Sequence, residues 1–163
     1  LRRVSPINRR HFSLGLAASA AATGAWARDS ALPVPASLQV AGRDAAQKGE
    51  PLVLLVSLPG CPYCELVRRS YLLPMRAEGL HAWQINVTDH LQPVRDFAGV
   101  PSSGAALARQ WQATFTPTVL FFDARGNEIA KRLVGVAVPD FYGAYLDAEL
   151  TAARARVGPK RAR

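Results

Sequence analysis

Cys61 and Cys64 are the only two cysteines in the 163-residue chain, and they stand three apart in Gly60-Cys61-Pro62-Tyr63-Cys64. Thiols at i and i+3 suit reversible disulfide chemistry when the first lies at the start of a helix. Pro59-Gly60 turns the chain out of an apolar run, and Cys64 to Leu73 reads as a helix that Pro74 ends or kinks. This puts Cys61 at the N-cap and Pro62 at N1, where proline's fixed φ and missing donor cost nothing. The Cys61 sulfur would then face unpaired amides and the positive end of the helix dipole, both of which favour thiolate over thiol. A cysteine so placed falls from about 8.5 into a range of roughly 3.5 to 7.5. Cys61 is therefore the expected nucleophile. Cys64, one turn further in, is the expected resolving thiol, displacing whatever is bound to Cys61 and closing a redox-active Cys61–Cys64 disulfide. That chemistry needs no other cofactor.

Two plainer readings of the pair stay open. A permanent structural disulfide is one, although so short a loop constrains the unfolded chain little. A metal site is the other; beyond the first 27 residues the chain offers only His81 and His90 as further imidazoles and no second cysteine pair, so no metal is expected. A second group of interest is Thr114-Phe115-Thr116-Pro117-Thr118, immediately before an apolar run. Pro117 cannot donate to a ladder and on its own marks only the first residue of a strand.

The elements that must hold these residues follow from periodicity. Ser37 to Lys48 reads as an amphipathic helix, and Leu52 to Leu58 as a strand covered on both faces because it is apolar throughout. His81 to Val87 is a second strand, a long connection runs from Thr88 to Ser103, and a helix spans Ala105 to Gln112. Pro117 to Asp123 and Glu128 to Val134 form a hairpin across Ala124-Arg125-Gly126-Asn127. A last helix runs from Pro139 to about Arg156. Trp83 and Trp111 read as core residues.

Net charge is +8, but its distribution removes nucleic acid as a partner. Residues 1–27 hold four arginines and no acid, the tail after Leu150 holds five bases, and residues 28–150 carry eleven basic against twelve acidic side chains. The division expected is a signal peptide over 1–27, a linker over 28–36, a single folded domain over 37–153 and a frayed basic tail over 154–163. The signal reading rests on a basic start, an apolar run from Phe12 to Ala22 and the A-x-A site Ala25-Trp26-Ala27. Within it, Asn8-Arg9-Arg10-His11-Phe12-Ser13-Leu14 resembles the twin-arginine export motif, with Asn8 where Ser or Thr usually stands; the general and twin-arginine routes both stay open. Other apolar runs, such as Leu52 to Leu58, are too short to span a bilayer.

Joined to the upstream Cys-x-x-Cys, a Thr-Pro opening the third sheet strand resembles the cis-proline loop of the thioredoxin superfamily, and the likeness covers roughly Leu38 to Leu150. It implies an α/β thioredoxin fold, a βαβ half followed by a ββα half, with a central mixed sheet and helices on both faces. It also implies that the Thr116-Pro117 bond is cis, that it lies beside the cysteine pair, and that Pro62, Tyr63, Thr116 and Pro117 contact an extended substrate segment. The stretches Ala105 to Trp111 and Phe121 to Glu128, with Gly135 after the last strand, resemble exported, periplasmic thioredoxin-like proteins with a Cys-Pro-Tyr-Cys site, including the group that accompanies bacterial sulfur-oxidation systems. That resemblance implies a monomeric periplasmic reductase of protein disulfides or mixed disulfides, recharged by a membrane transporter of thiol reducing equivalents.

The chain departs from its relatives in two places. Cytosolic thioredoxins carry a buried Asp six residues before the first cysteine, where this chain has Leu55, so proton removal from Cys64 is left to water or another group such as Glu65. The Pro-Tyr dipeptide is shared with glutaredoxins, which keeps a glutathione-dependent or oxidising exchange enzyme as an alternative. Against the former, the Gly-Gly and Asp with which glutaredoxins bind glutathione have no counterpart in Asp123 to Glu128. A non-catalytic binding module of the same fold is the alternative from outside enzymology.

Overall fold

The computed structural model describes residues 31–158; the expected signal segment, the start of the linker and the last five residues of the tail lie outside the described residues. Ser37 has extended backbone and caps helix α1 (Leu38–Gln47) by accepting the Val40 N–H on its hydroxyl. Strand β1 (Leu52–Ser57) is buried at all six positions, and alternation along it sets the layers. Val53 and Leu55 pack with Val67, Leu72 and Leu146 on one face, while Leu52, Leu54 and Val56 pack with Leu38, Ala41 and Leu107 on the other. Two apolar clusters therefore sandwich the strand.

From β1 the chain enters α2 (Pro62–Val67), passes through a π-helical turn over Arg68–Leu72 into α3 (Leu73–Ala77), and returns as β2 (His81–Asn86) parallel to β1. After a short antiparallel ribbon, β3 (Pro93–Arg95) with β4 (Pro101–Ser103), comes α4 (Gly104–Gln110). Strand β5 (Thr118–Phe122) runs antiparallel to β1, and β6 (Leu133–Val134) antiparallel to β5. A single 3₁₀ turn (Pro139–Phe141) leads into α5 (Tyr142–Val157). The sheet order is β2-β1-β5-β6, with α2 and α5 on one face and α1 and α4 on the other. This is a βαβ unit followed by ββα, the thioredoxin fold.

Three local expectations change. Pro74 does not end its helix: in the wider turn the Leu73 N–H bonds to the Arg68 carbonyl, so the ladder shifts before proline and Pro74 opens α3, where a missing donor is tolerated. The 88–103 connection contains the β3–β4 ribbon, which its prolines concealed; Pro93 pairs with Ser103 and Pro101 with Arg95 at an edge that does not need their N–H groups. The strand expected over Glu128–Val134 shrinks to β6 and a lone bridge from Glu128 to Phe122, because Glu128 turns to pair with Arg132, whose guanidinium also donates to the Trp111 carbonyl at 2.8 Å. Helix α5 ends at Val157, close to the expected end at about Arg156, with Arg154 paired to Glu50 at 2.9 Å. Trp83 and Trp111 are partly buried against the α1/α4 cluster.

Two features give measurable stability effects. The Tyr142 hydroxyl is buried without a protein partner among the described residues; burial, helped by Tyr71, pushes its phenol well above the usual range. Tyr142→Phe is expected to raise unfolding stability by about 1 kcal/mol in a denaturant titration, because it removes an unsatisfied polar group.

In the turn after β5, Asp123 Oδ1 accepts the Arg125 and Asn127 N–H groups at 2.8 and 2.9 Å, and its Oδ2 accepts Asn127 Nδ2 at 2.8 Å. Burial alone would raise its carboxyl, but hydrogen bonds from Asn127, Arg125 and Gly126 outweigh that and hold it below 3.8. Asp89 is lowered by the Gln92 and Leu91 N–H groups. A carboxyl lowered by folding stabilises fully above its unfolded value, about pH 4, and loses that contribution as pH falls through the lowered folded value. Stability measured by denaturation should therefore fall below pH 4, and Asp123→Asn should make that fall shallower.

Candidate functional site

The site assembles where β1 ends. The chain turns through Leu58 to Gly60, the Cys61 N–H reaching the Leu58 carbonyl at 3.3 Å, and enters α2. Cys61 is the N-cap with extended backbone, φ −82° and ψ 111°, its sulfur accepts the Cys64 N–H at 3.2 Å, and Pro62 begins the helix. The two sulfurs are bonded to each other, with Cα atoms 5.2 Å apart. Their environments differ: Cys61 is half-buried, whereas Cys64 is fully buried. Of the two, only Cys61 has any exposed surface for an incoming group to meet.

The Thr116–Pro117 bond is cis, and the loop lies against the pair: Thr116 Oγ1 is 3.9 Å from Cys61 Sγ, within reach to donate to it. Pro117 is buried, its carbonyl accepts the Gly135 N–H at 2.7 Å, and the Thr118 hydroxyl donates to the Phe115 carbonyl at 2.7 Å, which ties the loop down. Pro62 is exposed, and Tyr63 and Phe115 stand out at 52% and 65% exposure. Of the six expected site residues, Cys61 and Cys64 are bonded to each other, and Thr116 lies beside Cys61 with Pro117 next in the chain. Pro62 and Tyr63 line the rim.

Sequence reasoning missed what lies behind the pair. Arg68 is buried; its Nε donates to Gln84 Oε1 and its Nη2 to Ser57 Oγ, both at 2.8 Å, and its Nη1 pairs with the Glu65 carboxylate. The available signal was the spacing: Arg68 follows Cys64 by four, hence on the same helix face. Leu55, six residues before Cys61 on β1, is fully buried. Glu65, the fallback proton acceptor, is instead tied to Arg68 and Arg69; the Arg68 hydrogen bond, against some desolvation, holds its carboxyl below the usual value. A carboxylate stabilised as an anion is a weak base.

Among the described residues no cluster of three or more His, Cys, Asp or Glu could hold a metal ion. Residues 38–149 match the family described as the thioredoxin-like domain, and the chain belongs to that family. Among solved structures it is similar to mitochondrial thioredoxin 3 from Saccharomyces cerevisiae in its oxidized form, at 14% identity over 74% of this chain and 93% of that one, with a TM-score of 0.48. A thioredoxin-fold protein from Helicobacter pylori shares 21% identity over 81% of this chain and 92% of its own, with a TM-score of 0.45. The oxidised C-terminal domain of Neisseria meningitidis DsbD shares 20% over 69% and 89%, with a TM-score of 0.46. No curated protein sequence matches significantly. Family membership and a Cys-x-x-Cys pair closed as a disulfide support thiol–disulfide exchange as the general chemistry, which needs no cofactor beyond that disulfide.

Proposed function

We propose that the protein is an exported periplasmic reductase of protein disulfides or mixed disulfides. The observation that carries this is the asymmetry of the pair: a half-buried Cys61 at a helix N-cap, bonded to a fully buried Cys64. In the reduced protein the Cys61 thiolate attacks a substrate disulfide; one substrate sulfur leaves and the other stays bonded to Cys61. Cys64 then attacks Cys61 Sγ, the second substrate sulfur leaves, and the Cys61–Cys64 disulfide forms. Two electrons pass from the pair to the substrate. Thr116 beside Cys61 supplies a hydroxyl to the sulfur, and its backbone is free to pair with an extended substrate strand next to the rim of Tyr63 and Phe115. The basic and apolar character of residues 1–27 supports export, and a membrane transporter of thiol reducing equivalents would reset the dithiol.

The test is a glutathione titration combined with insulin reduction, on protein recovered from the periplasm. One two-electron couple between about −270 and −120 mV, with catalysed insulin reduction, supports the reading. A pair that stays oxidised throughout that range, or a chain retained in the cytosol with residues 1–27 intact, overturns it.

A further inference from the structure

Arg68 is the one charged side chain in the buried set of the described residues, at 6% exposure. No buried acid matches it. Its bonds to Ser57 and Gln84 are to neutral groups, and its carboxylate partner Glu65 has a side chain 46% exposed and shared with Arg69 at 3.1 Å. Taking a guanidinium out of water is unfavourable, and an apolar side chain of similar size fills such a space without that cost. The charge itself therefore calls for a role.

Its placement supplies one. The Arg68 N–H bonds to the Cys64 carbonyl, one turn along the same helix, and residues at i and i+4 have Cβ atoms about 5–6 Å apart on a shared face. Ser57 and Gln84, which anchor the guanidinium, lie on the sheet face beneath that helix: Gln84 pairs in register with Leu55, and Ser57 follows Leu55 by two. The other charged groups near Cys64 are few. Its own helix adds Glu65 and Arg69; β1 offers Leu55 and Ser57; β2 offers neutral Gln84, with His81 at the far end of the strand and pushed toward its neutral form by burial, Lys48 and Arg76. The cis-proline loop adds Thr116 and the facing end of α5 adds Tyr142, neither of them charged.

We propose that Arg68 is a positioning residue for the dithiol: its buried positive charge stabilises the Cys64 thiolate during resolution, on a sheet face where β1 carries no acid. The inference rests on the dithiol reading above. In that step the Cys64 thiol loses its proton to water, the thiolate attacks Cys61 Sγ, the bond from Cys61 to the substrate sulfur breaks, and the substrate sulfur leaves with the electron pair. Arg68 takes no proton and forms no bond to sulfur; it lowers the energy of the anion.

The reduced full chain can be tested with 5,5′-dithiobis(2-nitrobenzoate) in stopped flow. One coloured thiol is released as Cys61 is modified, and another as Cys64 displaces the remaining aromatic thiol. Arg68→Met is expected to slow the later release about tenfold at pH 7 and to move its pH midpoint up by about one unit. Arg68→Lys should restore the rate to within about threefold, and Glu65→Gln, which strips the counter-charge, should move the midpoint down. A folded Arg68→Met protein with an unshifted midpoint overturns the proposal. Should Arg68→Met not fold, Arg68→Gln decides, because it keeps an amide donor for Ser57 or Gln84 and removes only the charge: an unshifted midpoint in that variant overturns the role. Absence of any Cys64-dependent release from the wild-type protein would sink the dithiol reading itself, a result distinct from unshifted variants.

Discussion

Cys61→Ser is expected to lower turnover of a protein disulfide by about a thousandfold or more, whereas Cys64→Ser leaves the first attack intact and halts at a covalent adduct. The difference follows from geometry. Cys61 is the half-buried member of the pair, and its sulfur accepts the Cys64 N–H at the start of α2. A serine there has the same helix contacts but no ionised nucleophile at neutral pH. Cys64 is fully buried, so it cannot meet a bulky partner but can meet the sulfur beside it. Its removal should leave substrate bonded to Cys61, visible as a species on non-reducing gels that a thiol dissolves. Insulin turbidity measures the first effect and intact-protein mass the second. Cys61→Ser turnover above a tenth of wild type would end the catalytic reading and leave a binding module, and capture through Cys64 in place of Cys61 would reverse the assignment of roles.

Strong local signals carried the central strands, α1 and the redox pair. The unbroken apolar run of Leu52 to Val56 signals a strand with cover on both faces, and Cys61 followed by Pro62 suits a helix start. Tertiary effects set the rest. Pro74 carries a stop signal that a single π-helical turn cancels, and nothing in Arg68 to Leu72 marks such a turn in advance. The hairpin signal before Glu128 to Val134 was real, but the Glu128–Arg132 pair and the bond to the Trp111 carbonyl draw the chain off the ladder. Arg68 shows the limit most clearly. An arginine on an amphipathic helix is ordinarily solvent-facing, and only the meeting of Ser57 from β1 with Gln84 from β2 makes a buried seat for it. Those partners are 11 and 16 residues away and carry no pattern that links them.

Gly104→Ala is expected to destabilise the protein by about 2–3 kcal/mol, the reverse of what helix propensity alone gives. Alanine in place of a glycine within a helix ordinarily gains up to about 1 kcal/mol, and Gly104 is the first residue of α4, held by the Ser103 cap. Space decides the sign. A Cβ there would lie 2.6 Å from the Asn86 carbonyl oxygen and 3.2 Å from its nitrogen, both backbone atoms of β2 and unable to rotate away. Asn86 pairs in register with Ser57, whose carbonyl holds the Val87 N–H at 3.0 Å and whose hydroxyl seats Arg68. Relief of the clash therefore moves either α4 or the end of the parallel β1–β2 pair on which the cysteine helix rests. Denaturant unfolding measures the loss directly. If β2 is what yields, release from Cys61 by Cys64 should slow in the same variant, and if α4 yields the thiol chemistry should stay at the wild-type rate. A Gly104→Ala protein as stable as the wild type would mean that α4 does not press on β2 at this point, and that the close approach there is not needed to fix the end of the strand.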